Sequence, residues 1–131
     1  MSMQVVIRDE TTAGKITGEQ VLEFLTETIT VRELIRGRVY QEVQDYNRKK
    51  PEYFKGLVEP TEAEKTLNGY KLAKPRQIDW KTQFDMAVDA FQSNGFLILI
   101  DDEQAESLEQ EITLRPDAIV SFVKLIPLVG G

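Results

Sequence analysis

The chain has 131 residues and a formal net charge of −6, and 41% of its residues are apolar. Cysteine and histidine are both absent, which excludes disulfides, thiolate nucleophiles, Ser-His and Cys-His catalytic pairs and nearly every kind of zinc site. The excess of negative charge argues against nonspecific binding to nucleic acid.

Size and apolar content predict a single domain, residues 1–131, with one core. No run of apolar residues has the length of a membrane span, and the first residues lack the basic-then-apolar layout of a signal peptide. We therefore expect a soluble, cytoplasmic protein with no membrane partner.

The first two predicted elements form a β-hairpin. Residues 5–7 are a short β-rich run that ends at the turn signal Ala13-Gly14, and a second apolar run covers residues 16–25. Two such runs around a short turn are typical of paired antiparallel strands. Within the second run, Gly18 is expected to mark a bulge or a strand end.

A helix of about four turns follows the hairpin. Thr30 and Glu33 have the spacing of a capping box, in which each side chain satisfies a backbone N–H of the other residue. Gly37 lies inside this helix. The apolar residues that recur on one helical face are Val31, Leu34, Ile35, Val39, Val43 and Tyr46.

Residues 48–76 interrupt this acidic chain with a basic segment. They carry eight basic and four acidic side chains, so their net charge is +4, while that of the remaining residues is −10. They also contain three of the five prolines of the chain. The pattern favours a solvated loop with a short helical stretch over residues 60–67. A partner-binding segment or a flexible acceptor-lysine segment is the alternative.

The second predicted helix begins after Asp79, a candidate N-cap, and ends at the glycine-type stop Ser93-Asn94-Gly95. Its apolar face consists of Trp80, Phe84, Ala87, Val88 and Phe91. That spacing favours core packing over a stacking platform for nucleic acid.

Three strands are predicted after the second helix. The continuous apolar run at residues 96–100 is typical of a strand that is covered on both sides. Residues 108–114 are expected to include a short edge strand, residues 115–117 a turn, and residues 119–126 the final strand. The acidic residues at 101, 102, 103 and 106 lack the spacing of a calcium loop, so we expect no metal site.

The element order predicts an α+β fold, with a mixed sheet of about four to five strands around one main helix. The first and last strands would pair in parallel at the centre of the sheet. The basic segment and the second helix form an insertion, at about residues 47–94.

The order and the ending resemble the β-grasp superfamily of ubiquitin-like proteins and of the sulfur carriers used in thiamine and molybdopterin synthesis. The segment ITLRPDAIVSFVKLIPLVGG is similar to the closing pattern of that superfamily, and ETITVRELI to its hairpin-to-helix junction. FLILIDDEQAESLEQEITL is similar to its preceding strand-and-turn region, with Asp101-Asp102 where sulfur carriers often show Asn-Gly. The resemblance covers residues 3–46 and about 95–131, whereas residues 47–94 have no counterpart in the compact members of the superfamily. A chain of 131 residues is also long for a sulfur carrier. These two features favour an embellished bacterial ubiquitin-like modifier.

The resemblance implies a reactive carboxyl terminus at Gly131. Its carboxylate would attack the α-phosphorus of ATP inside an E1-like adenylating enzyme, and the acyl-adenylate would proceed either to a thioester and an isopeptide bond or to a thiocarboxylate. The chain would be a substrate and not an enzyme, with no cofactor of its own, since the partner uses the ATP and magnesium. An E2-like conjugating enzyme, a deubiquitinase-type peptidase and target proteins are further expected partners.

The residue types of the tail, residues 128–131, suit this role. Gly130 and Gly131 lack Cβ atoms and so fit a narrow channel. Pro127 cannot donate to a strand ladder, so pairing should stop about there. Leu128 and Val129 would then be available to the groove of a partner, whereas residues 125 and 126 would complete the two faces of the sheet. A sulfur carrier and a noncovalent β-grasp adaptor are the alternative functions.

Overall fold

The computed structural model describes residues 2–49, 53–54, 56–58, 60, 63–66, 69–72, 78–116 and 118–125. It shows an α+β protein with two helices and ten strands in these residues. The elements in chain order are β1 Met3–Thr11, β2 Ile16–Phe24, β3 Thr28–Thr30, α1 Val31–Lys49, β4 Tyr53–Phe54, β5 Ala63–Thr66, β6 Gly69–Leu72, α2 Trp80–Gln92, β7 Phe96–Ile100, β8 Glu103–Gln104, β9 Glu111–Thr113 and β10 Ile119–Lys124.

The chain divides into two compact units. The first unit combines Met1–Leu34 with Ala90–Gly131, and the second unit is Ile35–Asp89. Neither helix, over the residues that the structure describes, combines the length and the apolar character of a transmembrane segment.

The first unit contains a five-stranded mixed sheet with the strand order β2-β1-β10-β7-β8. β1 and β10 are parallel, with Val6 opposite Ile119 and Thr11 opposite Lys124. The other pairs in this sheet are antiparallel. The predicted parallel pairing of the first and last strands at the centre of the sheet is therefore confirmed, and the arrangement is compatible with a β-grasp fold.

The hairpin of β1 and β2 contains the predicted bulge. Asp9 lies opposite Gly18 and Glu10 opposite Ile16, so Thr17 is the extra residue. The hydroxyl of Thr17 donates to the Asp9 carbonyl at 3.3 Å. An extra residue at this point increases the local twist of the strand pair.

One face of this sheet supplies the buried core of the first unit. Its fully buried side chains are Val5, Ile7, Phe96, Ile98, Val120 and Phe122. The predicted coverage of residues 96–100 on both sides is wrong, because Leu97 and Leu99 are only half-buried. They share their face with Arg8 and Glu10 of β1, and charged side chains keep such a face in contact with water.

The start of α1 confirms the predicted capping box. The Glu33 amide donates to Thr30 Oγ1 at 3.1 Å, and the Thr30 amide donates to Glu33 Oε1 at 3.4 Å. α1 has 19 residues, which is about five turns, one more than predicted. All six residues of its predicted apolar face are buried.

β3 and β9 form a separate antiparallel pair, with Ile29 opposite Ile112. β9 confirms the edge strand that was predicted within residues 108–114. β3 was not predicted, because three residues are too few to show an alternating pattern.

The second unit contains a three-stranded antiparallel sheet with the order β4-β6-β5. The predicted helical stretch over residues 60–67 is therefore wrong, since Ala63–Thr66 is β5. The dipeptide Asn68-Gly69 is a strong hairpin signal. Backbone pairing of β5 with β6 prevails over the helix propensity of the Glu and Lys residues.

α2 confirms Asp79 as the N-cap. Thr82 Oγ1 donates to Asp79 Oδ2 at 2.7 Å, and the amides of Lys81 and Thr82 lie within 3.4 Å of the same carboxylate. These hydrogen bonds, that of the Thr82 hydroxyl above all, lower the pKa of Asp79. The most buried residues of α2 are Gln83, Ala87 and Phe91, whereas Trp80, Phe84 and Val88 are half-buried.

Candidate functional site at the end of β10

The predicted site residues Pro127, Leu128, Val129, Gly130 and Gly131 lie outside the described residues, as does Ile126. The described chain reaches Leu125, one residue after the end of β10. The structure therefore shows the base of the predicted tail and the contacts that position it.

Aromatic packing fixes β10 in the core of the first unit. The Phe122 ring lies 5.8 Å from the Phe96 ring, and the Phe96 ring lies 5.9 Å from that of Phe91, measured between centroids. Each tilted aromatic pair contributes about 1 kcal/mol beyond its area burial. The strand that leads to the tail is thus one of the most firmly packed elements of the unit.

The last paired residue of β10 is Lys124, which lies opposite Thr11 on one side and Phe96 on the other. The next residue adds one more backbone contact, because the Leu125 amide donates to the Gly95 carbonyl at 3.2 Å. Leu125 is half-buried. The described part of β10 therefore ends between the β1–β2 turn and the α2–β7 connection.

The α2–β7 connection that accepts this hydrogen bond is a tight turn. Asn94 has a φ of 61°, and the Gly95 amide donates to the Ala90 carbonyl at 2.7 Å, which is the pattern of a Schellman motif. A Cβ atom on Gly95 would lie 3.2 Å from that carbonyl oxygen. The predicted stop is confirmed, although Asn94 and not Gly95 takes the left-handed conformation.

A second turn positions the start of β10. Asp101 and Asp102 connect β7 to β8 with φ values of 49° and 73°, as in a type I′ turn, where Asn-Gly is the preferred pair. Asp101 Oδ1 accepts from the Ile119 amide at 3.3 Å, and Asp101 Oδ2 accepts from Arg115. The hydrogen bond from Arg115, and next that from Ile119, lower the pKa of Asp101.

We call this group of Asp101, Arg115 and Ile119 the Asp101 clamp. It connects the turn before β8 to the first residue of β10, and the Asp101 amide adds a hydrogen bond to the Ile119 carbonyl at 3.1 Å. No pattern in the sequence predicts that Asp101 and Arg115 are partners. The Ala118 amide donates to the Arg115 carbonyl at 3.0 Å, as a turn there requires, and residue 117 of the predicted turn lies outside the described residues.

A surface hollow of about 400 Å³ lies beside the Asp101 clamp. Its lining includes the carboxylates of Glu103 and Glu111 together with the clamp residues Asp101 and Arg115. In the part of the chain that the structure describes, no group of three or more Asp or Glu residues is placed to bind a metal ion. The described geometry at this site positions the start of β10.

The second unit contains partly buried polar contacts that were not predicted from the sequence. Glu42 accepts from Arg38 Nε at 2.5 Å through Oε1 and from the Leu57 amide at 2.9 Å through Oε2. Asn47 exchanges two hydrogen bonds of 2.8 Å with the backbone of Ile78. Arg38 and Glu42 are four residues apart on α1, a spacing that favours ion pairs on a helix, so this pair had a detectable signal.

Comparison of the chain with protein-family models, with curated proteins and with solved structures gives no match.

Proposed function

We propose that the chain is a ubiquitin-like modifier of the β-grasp superfamily, whose Gly131 carboxylate is adenylated by an E1-like enzyme and then conjugated to a target. One observation carries the proposal. The last strand, β10, pairs in parallel with β1 at the centre of the sheet and runs directly into the sequence LIPLVGG. The element order before it, a hairpin followed by a capped helix, agrees with the same superfamily.

The base of the tail supports this role because it is fixed on both sides. Lys124 is paired with two strands, and Leu125 bonds to the Gly95 carbonyl. Residues 126–131 can reach at most about 20 Å beyond that point. An activating enzyme could therefore bind the sheet and receive the terminal carboxylate at a limited distance from it.

The chemistry divides between this chain and its partners. An oxygen of the Gly131 carboxylate attacks the α-phosphorus of ATP and pyrophosphate leaves. A cysteine thiolate then attacks the acyl carbon and AMP leaves, and this thiol belongs to the enzyme because the chain has no cysteine. A lysine amine of the target finally displaces the thiolate and forms an isopeptide bond. Positioning and charge stabilisation at the phosphate come from the enzyme and its magnesium.

The test uses Lys124, the last tryptic site before the tail. Trypsin cleaves after Lys124, so a conjugated target keeps residues 125–131 on the modified lysine. We expect mass spectrometry of tryptic digests from cells that express the full chain to show lysines carrying the branch LIPLVGG. If a peptidase must first trim the chain to make Gly131 its last residue, the branched tryptic peptide is the same.

Two deletions provide the matched comparison. Removing Gly130 and Gly131 should abolish the branched peptides, whereas removing Met1 and Ser2, which precede β1, should preserve them. Absence of any adduct that depends on Gly131 would overturn the proposal. Replacement of one terminal oxygen by sulfur, without protein adducts, would instead assign a sulfur carrier, and full biological activity of the chain without Gly130-Gly131 would assign a noncovalent adaptor.

A further inference from the structure

The second unit has a partly exposed cluster of tryptophan, tyrosine and arginine. Trp80 is the only tryptophan of the chain and is half-buried at the start of α2. The Tyr40 ring meets it edge-on at 5.5 Å, and the guanidinium carbon of Arg36 lies 5.5 Å from the centre of its ring. Tyr40 is 45% exposed. These three residue types contribute most of the binding energy in many protein interfaces.

A hollow of about 360 Å³ adjoins this cluster along α1. Its lining residues are Val43, Gln44, Asn47, Ile78, Asp79 and Trp80. Arg36, Tyr40 and Val43 are spaced at four and three residues, so they follow one side of the helix. We call the surface from Arg36 to this hollow the Trp80 groove.

Arg36 differs from the other arginines of α1 in its charge partner. In the described residues no carboxylate pairs with Arg36, and its contact is the Trp80 ring. The other three pairs are Arg32 with Glu109, Arg38 with Glu42 and Arg48 with Asp45. A guanidinium that packs its flat face on a ring keeps its N–H donors in the plane for a carboxylate.

The hollow itself favours an apolar side chain. Two of its polar groups are already engaged, since Asn47 bonds to the backbone of Ile78 and Asp79 caps α2. Val43, Ile78 and Trp80 supply apolar atoms around it. One end of the groove therefore offers a cation that pairs with no carboxylate of the described residues, and the other end offers a place for an aliphatic or aromatic group.

We propose that the Trp80 groove binds an extended acidic segment of a partner protein, with a carboxylate on Arg36 and an apolar side chain in the hollow. Arg36 and Val43 are separated by about 10 Å along the helix axis. An extended peptide covers that distance in about three residues. The expected motif is an Asp or Glu followed, three residues away in either direction, by an apolar residue. This docking is noncovalent and does not require Gly131, so it goes beyond the proposed conjugation.

The test selects a phage-displayed library of random nonapeptides on the full chain. We expect the enriched peptides to share the acidic and apolar residues at this spacing. Synthetic versions are then titrated against the protein, with emission from Trp80 as the signal, because the single tryptophan reports directly on the groove. Arg36→Glu should weaken binding by about tenfold or more, since it removes a charge-assisted hydrogen bond and adds repulsion.

Lys15→Glu is the matched control, because it changes the charge equally in the turn after β1 and leaves the groove intact. It should bind as the wild type does, and circular dichroism should show the same fold for both variants. Selection of peptides without the motif, or equal binding to Arg36→Glu, overturns the proposal. Self-association that is lost in Arg36→Glu, measured by light scattering, would assign the groove to a second copy of the chain and also overturns it.

Discussion

The two units of the chain are stabilised by different kinds of contact. In the first unit, β10 lies between β1 and β7, and alternating apolar residues from these strands fill the core. In the second unit, α1 uses polar side chains to bind the backbone of the segment that follows it, through Glu42 to Leu57 and Asn47 to Ile78. The apolar face of a five-stranded sheet thus defines the first unit, and partly buried hydrogen bonds from side chains to the backbone help to define the second.

This difference predicts which kind of substitution destabilises each unit most. Apolar burial is nondirectional and grows with area, so the first unit should respond mainly to lost volume. Removal of one partner of a buried hydrogen bond costs more free energy than the bond contributes to stability. The reason is that the other partner stays buried, away from water, and has no hydrogen bond to replace the lost one. The second unit should therefore respond mainly to the loss of single polar groups.

The largest expected effect is in the first unit, at Phe122→Ala. Phe122 is fully buried and packs against Phe96, so its truncation should reduce the free energy of unfolding by about 4 kcal/mol. Urea unfolding of the full chain, followed by circular dichroism, measures this change. Val21→Ala in the same sheet is the control, since Val21 is 58% exposed and should change stability by less than about 0.5 kcal/mol. A loss below about 1 kcal/mol for Phe122→Ala would contradict the apolar description of this unit.

Local patterns explain how much of the first unit could be predicted from the sequence. The hairpin, the Thr30–Glu33 capping box and the first buried residues of α1, Val31 and Leu34, all depend on residues that are close in the chain. The parallel pairing of β1 with β10 followed from their apolar character and from the resemblance. The Asp101 clamp escaped prediction because its partners are brought together only by the folded sheet.

The second unit was harder to predict for the same physical reason. Ala63–Thr66 has a composition that favours a helix, and only its pairing with β6 makes it a strand. No pattern in the sequence predicts that Asn47 bonds to Ile78 or that Arg36 packs on Trp80. At the candidate site, Gly130 and Gly131 stay a prediction from sequence, since the structure describes the chain up to Leu125.

The next effect in size concerns the second unit, at Glu42→Ala. The side chains of Arg38 and Glu42 are 1% and 8% exposed, and removal of one partner from a buried ion pair costs about 3 kcal/mol. Because Glu42 also accepts from the Leu57 amide, hydrogen exchange of that amide should accelerate in the variant. Both changes are measurable on the full chain by urea unfolding and by amide exchange.

Two further variants test whether the buried charge is the cause. Asp45→Ala removes the exposed partner of Arg48 and should cost about 0.5 kcal/mol at most. The double variant Arg38→Met with Glu42→Leu should recover part of the stability, since apolar residues of similar size can replace a buried pair, while the Leu57 amide still loses its acceptor. Equal stability of Glu42→Ala and Asp45→Ala would contradict the role assigned to polar contacts in the second unit.

The smallest expected effect is at the Asp101 clamp, a polar contact in the apolar unit. Because the folded state lowers the pKa of Asp101 below its ordinary value of 3.8, the folded chain binds this proton less readily than the unfolded chain. The stability that the clamp contributes is therefore present above about pH 4 and is lost as the pH falls through the folded pKa. Asp101→Asn should lose about 0.5 kcal/mol at neutral pH and less on acidification.

Asp102→Asn is a close control for that variant. It makes the same chemical change at the neighbouring position of the same turn, where φ is also positive, and no described residue bonds to the Asp102 carboxylate. In urea unfolding, the difference in stability between the two variants should be largest at pH 7 and should shrink as the pH falls through the lowered pKa of Asp101. A loss for Asp101→Asn as large as that for Glu42→Ala would mean that hydrogen-bond geometry, and not burial, sets the size of these contributions. The Asp101 side chain is 35% exposed and that of Glu42 only 8%, so we expect burial to decide.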